Sequence, residues 1–134
     1  MVMKKWLLAA ISVIFIVGLS SCGESTTQEQ VQDTIEQIKQ RGVVRIGVFG
    51  DKPPFGFVNK DGKNDGFDVY IAKRIAKDLL GDENKVEFIL TEAASRVEFL
   101  RANKVDIIMA NFTKTPERER VVDFAKPYMK VSLG

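Results

Sequence analysis

The sequence has no histidine and only one cysteine among its 134 residues, and these two absences remove whole classes of site. Without histidine, the side chain that most often acts as a general acid or base is missing, although a carboxylate mechanism stays open. Zinc and most transition-metal sites need imidazole or thiolate ligands, so we expect no metal site and no cofactor. A single cysteine also excludes a disulfide within the chain.

An excess of charge of one sign is also lacking. The chain has 20 basic and 18 acidic residues, and Lys4 and Lys5 belong to an N-terminal leader, so the rest is balanced. A protein that binds nucleic acid needs a basic excess on one face, and we therefore expect no nucleic-acid partner. The 113 residues that follow the leader are enough for one compact domain and too few for two.

No apolar run is long enough for a typical membrane-spanning helix, which needs about 20 residues. The longest run, Trp6–Leu19, has 14 residues, follows two lysines and is followed by two serines and Cys22. This order predicts a lipoprotein signal peptide over residues 1–21, with cleavage before Cys22 and a palmitate-type lipid on its thiol. The protein would then be anchored by lipid on the extracytoplasmic, periplasmic face of the cell envelope. The alternative is an uncleaved anchor with a buried, inert Cys22.

Polar residues follow, and residues 22–30 are interpreted as a flexible tether to a domain over residues 31–134. Within that domain, strand-like and helix-like patterns alternate, which predicts an α/β fold with a mostly parallel sheet flanked by helices. Predicted helices cover residues 28–40, 68–80 and 94–103, with a further start at Thr115; predicted strands cover 43–48, 85–90, 105–110 and 129–133; residues 51–57 are predicted as a loop and 59–66 as a hairpin tip.

Ligands of parallel sheets bind beyond the carboxyl ends of the strands, which selects two loops, residues 49–57 and 111–118. In the second loop, Asn111, Thr113 and Arg118 place an amide, a hydroxyl and a guanidinium between a strand end and a helix start. Such a place favours an anion, and a guanidinium can fork onto a carboxylate. This loop is the main candidate binding site.

Each candidate side chain also has an ordinary structural explanation. Arg96 begins a helix near the same sheet edge, where most arginines are simply exposed. Phe55 and Phe67 lie near the first loop, where they either wall a cleft or fill the core. For Arg118 the alternative is a surface ion pair with Glu117, Glu119 or Asp123.

Three motifs resemble those of a known family. They are VVRIGV with its proline-bearing loop, Gly66-Phe67-Asp68-Val69, and VDIIMANFTKTPERERVVDFAKPYM. Together they resemble the polar amino-acid binding proteins of ABC importers, the bilobed type 3 solute receptors, most closely the cysteine-binding lipoprotein branch. The resemblance covers residues 31–134 and implies the first lobe of a periplasmic-binding-protein-like (type II) fold. The second lobe is absent, so the resemblance implies that the chain is a fragment.

The resemblance also implies roles for individual residues. It implies that Arg118 grips the α-carboxylate of the ligand, supported by the hydroxyl and backbone of Thr113. Asn111 would contribute backbone contacts at a position where many relatives have glycine. Phe67 would pack on the ligand, and Arg96 matches a position that contacts the distal end of the ligand in relatives that bind acidic amino acids.

By resemblance, the protein is a monomeric, lipid-anchored receptor rather than an enzyme. It would deliver a polar amino acid, cysteine first and aspartate or glutamate next, to the membrane subunits of an ABC permease. The acid that holds the ligand's ammonium group lies on the second lobe in such relatives, so this chain alone is expected to bind very weakly. Two alternatives stay open: a cyclohexadienyl or arogenate dehydratase-like enzyme on the same fold, and a sensory or adhesive surface module.

Overall fold

The computed structural model describes the backbone of residues 26–130 and the side chains of residues 34–130. The predicted signal peptide, the lipidation of Cys22 and the first part of the tether lie outside these ranges, so they remain predictions. Among the helices of residues 26–130, none has the length and apolar character that crossing a bilayer requires.

Helices and strands alternate along the described chain, which confirms the predicted α/β class. The helices are α1 (Thr26–Arg41), α2 (Phe67–Leu80), α3 (Arg96–Arg101) and α4 (Pro116–Glu119); the strands are β1 (Val44–Val48), β2 (Asp51–Lys52), β3 (Gly56–Val58), β4 (Asn64–Asp65), β5 (Val86–Leu90) and β6 (Ile107–Met109).

The main sheet has β1 at its centre, with β5 on one side and β6 on the other, all parallel. Ile46 lies opposite Phe88 in one register and opposite Ile107 in the other. Because β1 is buried between two partners, its sequence is almost continuously apolar, as expected for the central strand of a parallel sheet. The carboxyl ends of all three strands therefore lie at one edge.

The core lies between this sheet and α2. The helix presents Val69, Ala72 and Ala76 to β1, and all three are buried. The two alanines have short side chains, so the helix axis can approach the sheet closely. Ile38 joins the same cluster from α1, so the first helix is held to the domain through its C-terminal half.

The prediction of a loop over residues 51–57 is wrong in part, because β2 and β3 pair with each other there. Asp51 lies opposite Phe57, and Pro53-Pro54 occupy the turn between the two strands. These strands are only two and three residues long, too short for a periodic pattern to show in the sequence. The predicted hairpin over 59–66 is confirmed, because β3 and β4 pair in antiparallel register.

Several boundaries also differ from the sequence prediction. Helix α1 begins at Thr26, two residues before the predicted helix start at residue 28, so the part of the predicted tether from residue 26 to residue 30 is helical. Its glutamine and glutamate residues are good helix formers, although their polarity suggested a linker. Met129 and Lys130 are not in a strand, and the remainder of that predicted strand lies outside the described residues.

The turn between β2 and β3 caps the N-terminus of α2. The N–H groups of Phe67 and Asp68 donate to the carbonyls of Pro54 (3.0 Å) and Phe55 (2.8 Å). Gly66 makes this approach possible, because its φ is +113° and an added Cβ would lie 2.3 Å from the Phe55 oxygen. The first backbone donors of α2 are therefore occupied by the protein itself.

A buried carboxylate ties the amino edge of the sheet together. Asp106, just before β6, accepts hydrogen bonds from the guanidinium groups of Arg41 and Arg45. It also accepts the backbone N–H of Arg45 at 2.8 Å, while its own N–H donates to the Arg45 carbonyl at 2.8 Å. Only 6% of the Asp106 side chain is exposed, so the end of α1, the start of β1 and the approach to β6 share one partner.

A second buried carboxylate lies at the carboxyl edge. Asp68, in the first turn of α2, is fully buried and accepts a hydrogen bond from the Tyr128 hydroxyl at 2.8 Å. Within residues 34–130 its Oδ2 atom has no hydrogen-bond partner. Burial raises the pKa of Asp68, while the Tyr128 hydroxyl and the nearby backbone N–H of Asn111 act in the opposite direction. The pKa of Tyr128 is also raised, mainly by burial and to a smaller extent by its contact with Asp68.

Replacing Asp106 tests the contribution of the first carboxylate. Asp106→Ala should lower the free energy of unfolding by about 1–3 kcal/mol, because two guanidinium groups and a backbone donor lose their acceptor. Urea denaturation measures this. Glu98→Ala is the control, since Glu98 pairs with Lys104 at 3.5 Å between exposed side chains and should cost under about 1 kcal/mol. Equal losses in the two variants would contradict the assignment.

Replacing Asp68 tests its raised pKa. The folded chain holds the Asp68 proton more tightly than the unfolded chain, whose carboxyl titrates near 3.8. The free energy of unfolding of the wild type should therefore fall relative to that of Asp68→Asn as the pH rises from about 4 towards 7. Urea denaturation of both proteins across this range measures the difference. Parallel pH profiles would show that Asp68 titrates normally in the folded chain.

Candidate functional site

The candidate site lies where the chain leaves β6 at the carboxyl edge of the sheet. After the buried Ala110, the backbone turns at Asn111, whose φ is +46°. Asparagine adopts this left-handed conformation more readily than most residues, and glycine does so without strain. The Asn111 carbonyl accepts the N–H of Thr113 at 3.1 Å, which closes a tight turn. The left-handed backbone explains why an asparagine can occupy a position that the resemblance associates with glycine.

The loop then enters α4 through a side-chain cap. Thr115 has extended backbone angles, and its hydroxyl accepts the backbone N–H of Arg118 at 3.4 Å. Pro116 occupies the first helical position, where a missing N–H has no cost. The helix start predicted at Thr115 is thus confirmed, and Arg118 stands at the third helical position.

The side chain of Arg118 turns back over the loop. It is half-buried, and its Nη1 donates to the Thr113 carbonyl at 2.7 Å. The alternative of a surface ion pair is not observed, because Arg118 has no salt bridge with any residue in the range 34–130, and Glu119 pairs with Lys114 instead. A guanidinium has five N–H donors, so most of them remain for an external acceptor.

Arg96 reaches the same loop from the start of α3, and the expectation of an exposed surface arginine is wrong. Only 6% of the residue is exposed. Its Nε donates to the Ala93 carbonyl at 3.1 Å, and its Nη1 donates to the carbonyls of Ala110 (2.9 Å) and Asn111 (3.1 Å). Its hydrogen bonds within the described chain therefore go to backbone oxygens.

Phe112 contacts both arginines, and the sequence did not single it out. Its ring centroid lies 4.5 Å from the Arg96 Cζ atom and 5.0 Å from that of Arg118, within cation–π range. The pKa of Arg96 is lowered, mainly by burial and to a smaller extent by the positive charge of Arg118. Two positive groups thus lie close together with no carboxylate paired to either one among residues 34–130, which favours an anion at this edge. The only sequence signal was an aromatic residue inside the polar loop.

The predicted aromatic residues Phe55 and Phe67 lie beside the loop that follows β6. Phe55 is half-buried in the turn between β2 and β3, whereas Phe67 is 41% exposed. The Phe67 ring lies 6.1 Å from that of Tyr128, another residue that the sequence prediction missed. Asp68 lies close to the backbone N–H of Asn111, so the start of α2 adjoins the loop after β6. An exposed aromatic pair thus stands near the arginine loop.

The side chains at this edge are suited to binding a small molecule with a carboxylate. They are the Arg118 guanidinium, the Thr113 hydroxyl and the exposed rings of Phe67 and Tyr128, with the buried charge of Arg96 close by. The described residues contain no cluster of histidine, cysteine or acidic side chains that could hold a metal ion. The buried acid nearest the loop, Asp68, is already hydrogen-bonded to Tyr128.

Comparison with known proteins identifies the family. Residues 44–134 match the model of the bacterial extracellular solute-binding proteins, family 3. The ABC transporter glutamine-binding protein GlnH of Bacillus subtilis is 38% identical over 135 residues, which cover 96% of this chain and 50% of the relative. The chain spans about half the length of the curated relatives that it matches.

Two solved structures are similar to this one. The cysteine-binding protein from Campylobacter jejuni is 68% identical, with a TM-score of 0.71, over 72% of this chain and 39% of that chain. An ancestral cyclohexadienyl dehydratase is 43% identical, with a TM-score of 0.65, over 71% of this chain and 38% of that chain. The sheet, its carboxyl-edge loops and these matches agree, and the chain belongs to family 3 of the bacterial extracellular solute-binding proteins.

Proposed function

We propose that this chain is the first lobe of an amino-acid receptor and that it holds the α-carboxylate of a polar amino acid. Arg118 forks onto the carboxylate, and Thr113 and the backbone around Asn111 donate further hydrogen bonds. The observation that carries this proposal is the half-buried guanidinium of Arg118, which turns back over the loop and makes no salt bridge within the described chain, although it lies close enough to the Glu117 carboxylate for their charges to interact. A charged hydrogen bond of this kind contributes about 1.5–3 kcal/mol.

Cysteine is the favoured ligand, followed by aspartate or glutamate. The support for cysteine is the 68% identity with the cysteine-binding protein from Campylobacter jejuni. The support for a wider choice is the 38% identity with a glutamine-binding protein, which extends over 96% of this chain. The α-carboxylate is common to all these ligands, so the Arg118 loop serves any of them.

The proposed setting is the outer face of a membrane. Residues 1–21 would direct export, Cys22 would carry the lipid, and residues 31–134 would form the lobe. The partners would be the membrane subunits of an ABC permease, which receive the amino acid from a monomeric receptor. The family name, which describes extracellular proteins, supports this location.

Catalysis is the second candidate, favoured by one observation. The ancestral cyclohexadienyl dehydratase is 43% identical to this chain. A dehydratase needs an acid and a base positioned beside its substrate, and the Arg118 loop offers cations and a hydroxyl instead. Prephenate or arogenate turnover, followed by absorbance, separates the two functions, and turnover abolished by Arg118→Ala would favour the enzyme.

Replacing Arg118 tests the proposed site. Titration of the ¹⁵N-labelled chain with L-cysteine, L-glutamine and L-aspartate should shift the amides of residues 111–118, and NMR detects this even for weak binding. Arg118→Ala should cost about 2–5 kcal/mol of binding free energy, because the carboxylate loses its charged partner, and saturable shifts should disappear. The fold should be unchanged, because Arg118 is only half-buried and is not part of the hydrophobic core.

Arg120→Ala provides the matched control. Arg120 is two residues further along, exposed, and carries the same charge, so its loss should leave the titration unchanged. Equal weakening in both variants would mean that Arg118 acts only through net charge. Unchanged binding in Arg118→Ala would remove the site assignment altogether.

A further inference from the structure

Arg96 does not present itself to a ligand in the way that the resemblance implies. Its residue is 6% exposed, and two of its nitrogen atoms, Nε and Nη1, donate to three backbone carbonyls. Those carbonyls belong to Ala93, before α3, and to Ala110 and Asn111, after β6. The side chain therefore joins two stretches of backbone that leave the sheet at the same edge.

One of these carbonyls is at the residue that sets the shape of the loop. Asn111 has a φ of +46°, and its carbonyl accepts both the Arg96 Nη1 (3.1 Å) and the Thr113 N–H (3.1 Å). A left-handed residue other than glycine costs free energy, so it persists where its surroundings hold it. Arg96 donates a charged hydrogen bond to the Asn111 carbonyl, and this bond stabilises the left-handed conformation.

The same guanidinium also helps to fix Phe112. Its Cζ atom lies 4.5 Å from the Phe112 centroid and 5.8 Å from the centroid of the buried Phe49. Phe112 in turn lies 5.0 Å from the Cζ atom of Arg118. A chain of contacts thus runs from Arg96 through Phe112 to Arg118, in addition to the backbone route through Asn111 and Thr113.

We propose that Arg96 is a positioning residue, which holds the 110–113 turn and Phe112 so that Thr113 and Arg118 present their donors together. This inference rests on the proposed function of the loop as a carboxylate site. It differs from the expectation that Arg96 contacts the distal end of an acidic ligand. A residue that shapes the carboxylate grip affects every α-amino acid equally, whereas a distal contact affects aspartate or cysteine, whose side chains offer an acceptor, and does not affect L-alanine.

The variant Arg96→Lys separates geometry from charge. Lysine keeps the positive charge, but a compact ammonium cannot reproduce the planar fork that spans these carbonyls. Affinities for L-alanine and L-aspartate should both fall about tenfold, so that their ratio is preserved. A loss confined to L-aspartate would show a distal contact and overturn the proposal, as would full affinity for both ligands in Arg96→Lys.

A measurement without ligand keeps the test independent of the proposed function. In the ligand-free chain, amide hydrogen exchange of Thr113 should accelerate about tenfold in Arg96→Lys, because its acceptor at Asn111 is released. The Thr91 amide, bonded to the Val48 carbonyl at 2.9 Å, reports on the sheet and should keep its rate. An unchanged Thr113 rate would overturn the proposal even if the wild type bound no amino acid.

A third readout uses the wild type alone, in case the variant fails to fold and the Thr91 rate rises too. The arginine Nε–H signals of the ¹³C,¹⁵N-labelled wild type are assigned by through-bond correlation to their own side-chain and backbone carbons, so no variant is needed. On saturation with L-aspartate, the Arg118 signal should move and the Arg96 signal should keep its shift, since its N–H stays on the Ala93 carbonyl. If the Arg96 signal moves with L-aspartate but not with L-alanine, Arg96 contacts the ligand side chain and the proposal fails.

Discussion

The parallel pairing of β1 with both β5 and β6 is the constraint on which the candidate site depends. Parallel strands run in the same direction, so the loops that follow them emerge at one edge. Arg96, which follows β5, and Arg118, which follows β6, are 22 residues apart in the chain and meet at that edge around one phenylalanine ring. If β6 ran in the opposite direction to β5, these two arginines would lie at opposite ends of the sheet.

The edge that carries the candidate site has a local excess of positive charge, which the composition of the whole chain does not show. The chain as a whole is nearly neutral, yet the described residues around the loop after β6 bring two guanidinium groups together without pairing them to acids. Aromatic contact and backbone carbonyls disperse their charge only partly. A carboxylate ligand would balance the remaining positive charge, and this is the physical basis for the proposed amino-acid receptor.

Two aspartates with buried side chains stabilise opposite edges of the sheet. Asp106 has partners for both of its oxygen atoms and joins α1, β1 and the approach to β6 at the edge away from the site. Asp68 is less completely paired and joins α2 to the segment of Tyr128 beside the site. Burial acts against ionisation of the Asp68 carboxyl, so the contact between α2 and Tyr128 is expected to depend on pH.

The sequence by itself determined the α/β class, the helix start at Thr115 and the loop after β6, because apolar periodicity, caps and strand ends are local signals. It did not reveal β2 and β3, whose pairing is too short to leave a pattern, or the extension of α1 into the polar residues from Thr26. Only the tertiary structure decided that Arg96 is buried against backbone carbonyls, and that Phe112 and Tyr128 belong to this edge. Those contacts join residues distant in sequence, and no local pattern encodes which distant partners a side chain will meet.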